Sequence, residues 1–252
     1  MYRSGNPALN DSTFEKSAYK EVSWWEDSES NLMSMNGVAD KTALLLIIVT
    51  LTAIAVYLTV PISLFLTLLG AIVGFVVALI IIFSGSMNPI LICTYAACQG
   101  LFLGGITWIF EYRYNAPGLG IVAAVLTFLI LGVMLSIYRA GLISWNKNMQ
   151  IAVTSSMVAI LLIYLVSFIG SFVGFEVPLI HGNGAVGIAF SVFVVGIASL
   201  CLVADFDFIE RGVERGAPKQ LEWRAAFGLL VTLIWLYLEI LKLLAKLVAS
   251  RR

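Results

Sequence analysis

Long, almost uninterrupted runs of apolar residues dominate the chain from Thr42 onward. A helix that rises about 1.5 Å per residue needs about 20 apolar residues to cross the roughly 30 Å hydrocarbon core of a bilayer. Short segments that contain proline, glycine, asparagine or charged residues separate the runs. The pattern predicts seven transmembrane helices, over residues 42–60, 62–83, 89–110, 119–138, 151–174, 185–208 and 226–248.

These runs exclude a transmembrane β-barrel, whose strands alternate in polarity and span only about ten residues. The predicted fold class is therefore all-α, a polytopic membrane protein in contact with the lipid bilayer. Hydrophobic residues make up 60% of the chain and charged residues 12%, whereas soluble domains carry roughly 45–50% and about 25%. The composition argues against a soluble enzyme, a disordered chain and a nucleic-acid-binding protein.

Residues 1–41 differ from the rest, because they hold seven acids, four bases and no continuous apolar stretch. This composition is typical of a polar, flexible, cytoplasmic tail and not of a cleaved signal peptide. Within the tail, Trp24 and Trp25 are interpreted as an anchor at the membrane interface or a cap against the helices. The predicted organisation is a tail over residues 1–41 and one membrane domain over residues 42–252.

Lysine and arginine residues in the short loops predict the orientation of the chain, since they favour the cytoplasmic side. With the N-terminus inside, the outer loops carry only Arg113, and the C-terminus falls outside, where Arg251 and Arg252 break the rule. Either these two arginines are tolerated or the seventh span re-enters. The bases that support a cytoplasmic N-terminus are Lys41, Arg139, Lys147, Arg211, Arg215, Lys219 and Arg224.

Cysteine and histidine residues give no sign of catalysis or metal binding. Cys93, Cys98 and Cys201 lie inside apolar runs, outside any CxxC or Cys/His cluster, and are predicted to be buried packing residues. The only histidine, His181, falls in a predicted loop, so an intramembrane protease with a serine and a histidine in its spans is not supported. We expect neither an enzyme nor a resident cofactor.

Pairs of small residues recur at four-residue spacing within the spans. In lipid, such pairs let helix backbones approach closely, so they favour a compact helical bundle. The pairs are Gly70/Gly74, Gly100/Gly104 and Gly170/Gly174.

Ionisable residues at membrane depth cost roughly 2.5–3.5 kcal/mol each, and an intramembrane carboxylate is by default a functional candidate. Asp205 and Asp207 lie near the end of span six, and Glu239 lies past the middle of span seven. Lys242, three residues after Glu239 on the same helix face, is a possible local counter-charge that would make Glu239 purely structural.

The two aspartates are separated by about 200° around a helix, so at most one of them faces a given neighbour. Their alternative interpretation is a pair of acids in water at the helix end. If Asp205 or Asp207 meets Glu239, the two carboxylates cannot comfortably both ionise, and they titrate as one unit. Such a pair would act as a pH sensor, or as a cation site whose affinity falls on acidification.

Several segments resemble the transmembrane Bax-inhibitor-motif family. They are Asp205-Phe-Asp-Phe-Ile-Glu210, Leu236-Tyr-Leu-Glu239, Tyr95-Ala-Ala-Cys-Gln-Gly-Leu-Phe-Leu-Gly-Gly105 and, as in a bacterial subgroup, Gly5-Asn-Pro-Ala-Leu-Asn10. The resemblance implies a seven-helix bundle with the last helix central, in a bacterial plasma membrane. It also implies a pH-sensitive calcium leak channel, gated by a proton-sharing pair of carboxylates from helices six and seven.

In this resemblance Asp205 matches the first carboxylate of the pair and Glu239 the second, and both would bind the permeant calcium ion transiently. The sequence departs from the family by having glutamate for aspartate at position 239, a longer loop between the last two spans, and a third acid, Asp207. Two alternatives stay open. One is a proton-coupled secondary transporter, and the other is a regulatory protein that binds other membrane proteins.

Overall fold

The computed structural model describes residues 31–59, 64–172, 182 and 184–251. These residues form seven helices and an isolated β-bridge between Leu32 and Pro218. All seven helices are long and apolar enough to cross a membrane, which confirms the predicted all-α polytopic membrane protein. The helices are α1 (Met35–Leu58), α2 (Leu64–Ser84), α3 (Pro89–Tyr114), α4 (Leu119–Arg139), α5 (Lys147–Phe172), α6 (Ala185–Glu214) and α7 (Leu221–Ser250).

Most of the seven described helices extend beyond their predicted spans at one end or at both, because apolar runs mark only the part of a helix that lipid or protein covers. Helices α6 and α7 are 30 residues long, about 45 Å, and so exceed the roughly 30 Å hydrocarbon core. Helix α1 begins at Met35, ahead of the predicted start at residue 42, and the Ser34 side chain caps it by accepting from the backbone N–H of Gly37.

The predicted polar tail is therefore folded over residues 31–41, which we call the N-terminal segment. Its remainder, with Trp24 and Trp25, lies outside the described residues, as do His181 and Gly174.

The chain divides into two compact units. The first comprises Met1–Trp108 and Asp205–Thr232, and the second comprises Ile109–Ala204 and Leu233–Arg252. The first part of α6 and the last part of α7 belong to the second unit, and the other part of each helix belongs to the first unit. The carboxylates singled out in the sequence are consequently distributed between the units.

Glycines bring the first three helices of the first unit together. A side chain at Gly104 of α3 would overlap the backbone of Ala53 in α1, and one at Gly100 would overlap Thr52. On α2, Gly70 lies directly against the backbone carbonyl of Cys98 in α3. Two of the predicted glycine pairs thus serve close packing between helices.

The N-terminal segment is fixed to the loop between α6 and α7. The Met33 N–H donates to the Ala217 carbonyl at 2.7 Å, and the Lys219 N–H donates to the Asn31 carbonyl at 2.9 Å. A hydrophobic cluster connects the same parts of the chain. Its buried members are Met33, Val38, Phe208, Ile209, Ala217, Leu221 and Ala225.

In the second unit, α5 and the first part of α6 form a separate apolar cluster with Trp235 of α7. Cys201 is buried in it, with its sulfur 3.3 Å from the sulfur of Met157, as a packing cysteine would be. Helix α7 is the most buried of the described helices, because 61% of its most apolar stretch is buried against 17% in α4 and in α5. The resemblance implies a central last helix, and this burial agrees with it.

Candidate functional site

Two carboxylates that lie within the predicted apolar spans are almost completely buried. Asp205 on α6 is 0% exposed and Glu239 on α7 is 1% exposed. Asp205 belongs to the first unit and Glu239 to the second. Each carboxylate has a defined set of contacts in its own unit, and their predicted sharing of a proton stays a prediction.

Asp205 is enclosed by apolar neighbours on its own helix, since Ala204 and Phe206 are also buried. The Thr232 hydroxyl of α7 donates to Asp205 Oδ2 at 2.6 Å. A hydroxyl group both donates and accepts hydrogen bonds. The same contact is therefore possible when the Asp205 side chain is a carboxylate and when it is a protonated acid.

Asp207 occupies a different environment, as its angular separation from Asp205 predicts. Its side chain is partly exposed and forms an ion pair with Arg211, one helical turn later. The Arg211 Nε–H also donates to the Asp207 backbone carbonyl at 3.3 Å. This local ion pair accounts for Asp207, the acid that the sequence has in addition to Asp205 and Glu239.

Glu239 accepts three hydrogen bonds from side chains of the second unit. Its Oε1 atom accepts from Lys242 Nζ at 2.9 Å and from Trp235 Nε1 at 3.2 Å, and its Oε2 atom accepts from the Tyr164 hydroxyl at 2.8 Å. The predicted counter-charge, Lys242, is thus in place. Tyr164 also faces the lysine, whose Nζ lies 4.6 Å from the centre of the aromatic ring.

A second ammonium group follows one turn later on α7, and this one is buried. Lys246 is 6% exposed, and its Nζ donates to the Gly187 carbonyl at 2.9 Å and to the Ser191 hydroxyl at 2.8 Å, both on α6. With Glu239 and both lysines ionised, this part of α7 carries one more positive than negative charge. A cation that approaches Glu239 has to compete with the ammonium, indole and phenol groups that already donate to its carboxylate.

Sequence reasoning missed Thr232, Trp235 and Lys246 on α7 and also Tyr164, although a signal for the three α7 residues exists in the sequence. Five polar or aromatic side chains of α7 recur at alternating spacings of three and four residues, which places them along one face of a helix. They are Thr232, Trp235, Glu239, Lys242 and Lys246, and we call them the α7 polar face. Tyr164, on α5, is 75 residues from Glu239 and leaves no such signal.

Comparison with known proteins places the chain in a family. The family model described as Bax inhibitor 1 like matches residues 6–249. The chain belongs to the Bax inhibitor 1 like family. No curated protein matches it.

The Bax inhibitor 1 like match includes both buried carboxylates and the whole α7 polar face. It confirms the family resemblance that the sequence motifs carry. The roles that this resemblance implies for Asp205 and Glu239 stay predictions.

Proposed function

We propose that this protein is a pH-sensitive cation leak channel for calcium, in which Asp205 and Glu239 titrate as one unit. The observation that carries the proposal is the burial of both carboxylates, 0% and 1% exposed, within helices long enough to span a membrane. Ionisable groups at that depth are costly, and they mark ion and proton pathways. The proposal includes no catalytic step and no resident cofactor.

The α7 polar face supports a pathway along the last helix. Thr232 contacts one carboxylate, and Trp235 and Lys242 contact the other. A row of polar groups on the most buried helix gives a proton or a hydrated cation successive partners in an otherwise apolar interior.

Calcium is proposed as a permeant ion and not as a tightly held ligand. Ca²⁺ takes about six to eight oxygen ligands. Among the described residues, no group of three or more His, Cys, Asp or Glu side chains is arranged to hold a metal ion. Asp205 and Glu239 would therefore contact the ion transiently, with water and backbone carbonyls completing its shell, and protonation of either acid would weaken that contact.

The orientation follows from the basic residues near the helix ends. We propose a bacterial plasma membrane with the N-terminus in the cytoplasm, because basic residues flank the loop between α4 and α5 and lie in or beside the loop between α6 and α7. They are Arg139, Lys147, Arg211, Arg215, Lys219 and Arg224. Protease accessibility of tags at each terminus in right-side-out and inverted vesicles tests this placement.

Calcium flux into liposomes tests the channel. Purified wild type, Asp205→Asn, Glu239→Gln and the matched control Asp207→Asn are reconstituted, and flux is measured at two pH values on either side of neutrality. We expect pH-dependent flux for wild type and for Asp207→Asn, because Asp207 is held by Arg211 outside the proposed pair. Asp205→Asn and Glu239→Gln should each lose the pH dependence.

Other outcomes separate the alternatives. If Asp205→Asn shows the same calcium flux as wild type at both pH values, protonation of Asp205 does not gate the channel. Saturable counterflow of a substrate favours a proton-coupled transporter, and copurification of a membrane protein without ion flux favours a regulatory role.

A further inference from the structure

A cavity of about 700 Å³ lies at one end of the first unit. Three parts of the chain form its wall: the N-terminal segment, the loop that leads into α3, and the loop that leads into α7. None of the residues singled out for the channel lines it.

Among the described residues that line the cavity, the charged ones are Lys41 and Lys219. Lys41 forms an ion pair with Glu222, which is 0% exposed and lies in the first turn of α7. Lys219 is exposed and comes from the loop before α7. With Glu222 included, these three groups carry one more positive than negative charge, so the cavity favours an anion.

The polar lining is rich in groups that donate hydrogen bonds. Asn88 accepts from the Ile90 N–H at 2.9 Å through its carbonyl oxygen, which caps α3 and leaves the Asn88 NH₂ group as a donor. Gln220, which also lines the cavity, brings another amide. Ammonium and amide donors together match the oxygens of a phosphate group.

Apart from a third amide side chain, that of Asn31, the rest of the described lining is apolar or amphipathic. Met87 and Pro89 contribute apolar surface, and the Trp223 ring centre lies 5.5 Å from Lys41 Nζ. Tryptophan is favoured at the level of lipid headgroups. Basic pockets between helices at a membrane surface suit anionic headgroups, whose glycerol and acyl parts need apolar contacts beside the phosphate.

We propose that this cavity binds the phosphate-bearing headgroup of an anionic phospholipid, with Lys219 as its main charged contact and Asn88 as a donor. The bound headgroup bridges the N-terminal segment and the starts of α3 and α7. It should therefore stabilise the folded protein, since a ligand that binds only the folded state raises the melting temperature.

Binding of phosphatidylglycerol tests the proposal. The full-length protein in a neutral detergent is titrated with short-chain phosphatidylglycerol or with phosphatidylcholine, and bound lipids are counted by native mass spectrometry. Wild type should retain phosphatidylglycerol in preference to phosphatidylcholine. Lys219→Gln should weaken that binding about fivefold, because one lysine near an anionic lipid surface contributes about 1 kcal/mol.

Three further variants test whether phosphatidylglycerol binding depends on the cavity residues. Lys147→Gln removes an exposed lysine from the start of α5 and should bind like wild type. Lys219→Arg should retain binding. Asn88→Asp keeps the cap of α3, because aspartate caps as well as asparagine, but it adds a negative charge to the cavity wall and should weaken binding at least as much as Lys219→Gln.

The melting temperature without added lipid shows whether each variant folds. Equal losses for Lys219→Gln and Lys147→Gln would overturn the site in favour of loosely held lipid around the helices. Displacement of phosphatidylglycerol by inorganic phosphate at the same concentration would overturn the lipid assignment, because it would show that a free anion suffices.

Discussion

Asp205 and Glu239, the two carboxylates buried within the predicted apolar spans, are stabilised by different groups. Asp205, in the first unit, receives a hydrogen bond from the Thr232 hydroxyl, a neutral group that can donate or accept. Glu239, in the second unit, receives its hydrogen bonds from an ammonium, an indole and a phenol. The comparison indicates that the contact at Asp205 survives a change of protonation, whereas the surroundings of Glu239 include a fixed positive charge.

The largest effect should come from Lys242→Met, which leaves the Glu239 carboxylate without its ammonium partner. Breaking a buried ion pair by removing one partner costs about 3–5 kcal/mol, and we expect about 3 kcal/mol. The lower value applies because the Lys242 side chain is 36% exposed, whereas that of Glu239 is 2% exposed. The free energy of unfolding in mixed detergent micelles measures the loss.

Two control variants test whether the loss of stability comes from the unpaired carboxylate. Lys242→Arg keeps the positive charge and should lose much less stability. The double variant Lys242→Met/Glu239→Gln should recover most of the loss, because no buried charge is then left unpaired. A double variant less stable than Lys242→Met would show that the carboxylate does not need the lysine.

Thr232→Val removes the hydroxyl that donates to Asp205 while nearly conserving side-chain volume. Hydrogen bonds to charged groups contribute about 1.5–3 kcal/mol, so we expect a loss of about 2 kcal/mol in the free energy of unfolding. Thr232→Ser retains the hydroxyl and is the matched control. If both variants lose the same amount, the methyl group and its packing, and not the 2.6 Å hydrogen bond, stabilise this position.

Tyr164→Phe removes the phenol hydroxyl that donates to Glu239 Oε2 but keeps the ring beneath Lys242. Glu239 retains its hydrogen bonds from Trp235 and Lys242, so the loss should be smaller, about 1 kcal/mol. The same unfolding titration measures it. Combining Tyr164→Phe with Lys242→Met should give a loss that differs from the sum of the single losses, because both residues contact one carboxylate. Strict additivity would contradict a shared site.

The fold could be predicted largely from the sequence, because a helix that crosses lipid needs a long apolar run and seven such runs are present. The N-terminal segment could not, since its order depends on contacts distant in sequence. Glu222 accepts from Ser34 at 2.9 Å and pairs with Lys41, across 188 and 181 residues respectively. Nothing in the local pattern of residues 31–41 indicates that partner.

The candidate site could be predicted from the sequence in part. Asp205, Glu239 and Lys242 stand out because charges are rare in apolar runs, and Trp235 and Thr232 share their spacing along α7. The difference between Asp205 and Asp207 follows from helical geometry once the helix is known. Tyr164 and the Gly187 and Ser191 partners of Lys246 depend on how separate helices pack, and that is a property of the folded second unit.

The smallest effect should come from Asp207→Asn, and it calibrates the comparison between the two buried sites. Its partner Arg211 lies one turn away on the same helix, and both side chains are partly exposed, at 17% and 29%. Ion pairs of this kind contribute about 0.3–0.5 kcal/mol, so the free energy of unfolding should fall by no more than that. High salt should remove the difference from wild type, because screening acts on exposed pairs. A loss above that of Tyr164→Phe would mean that Asp207 belongs with the buried carboxylates, and that α6 contributes two acids to the proposed pathway.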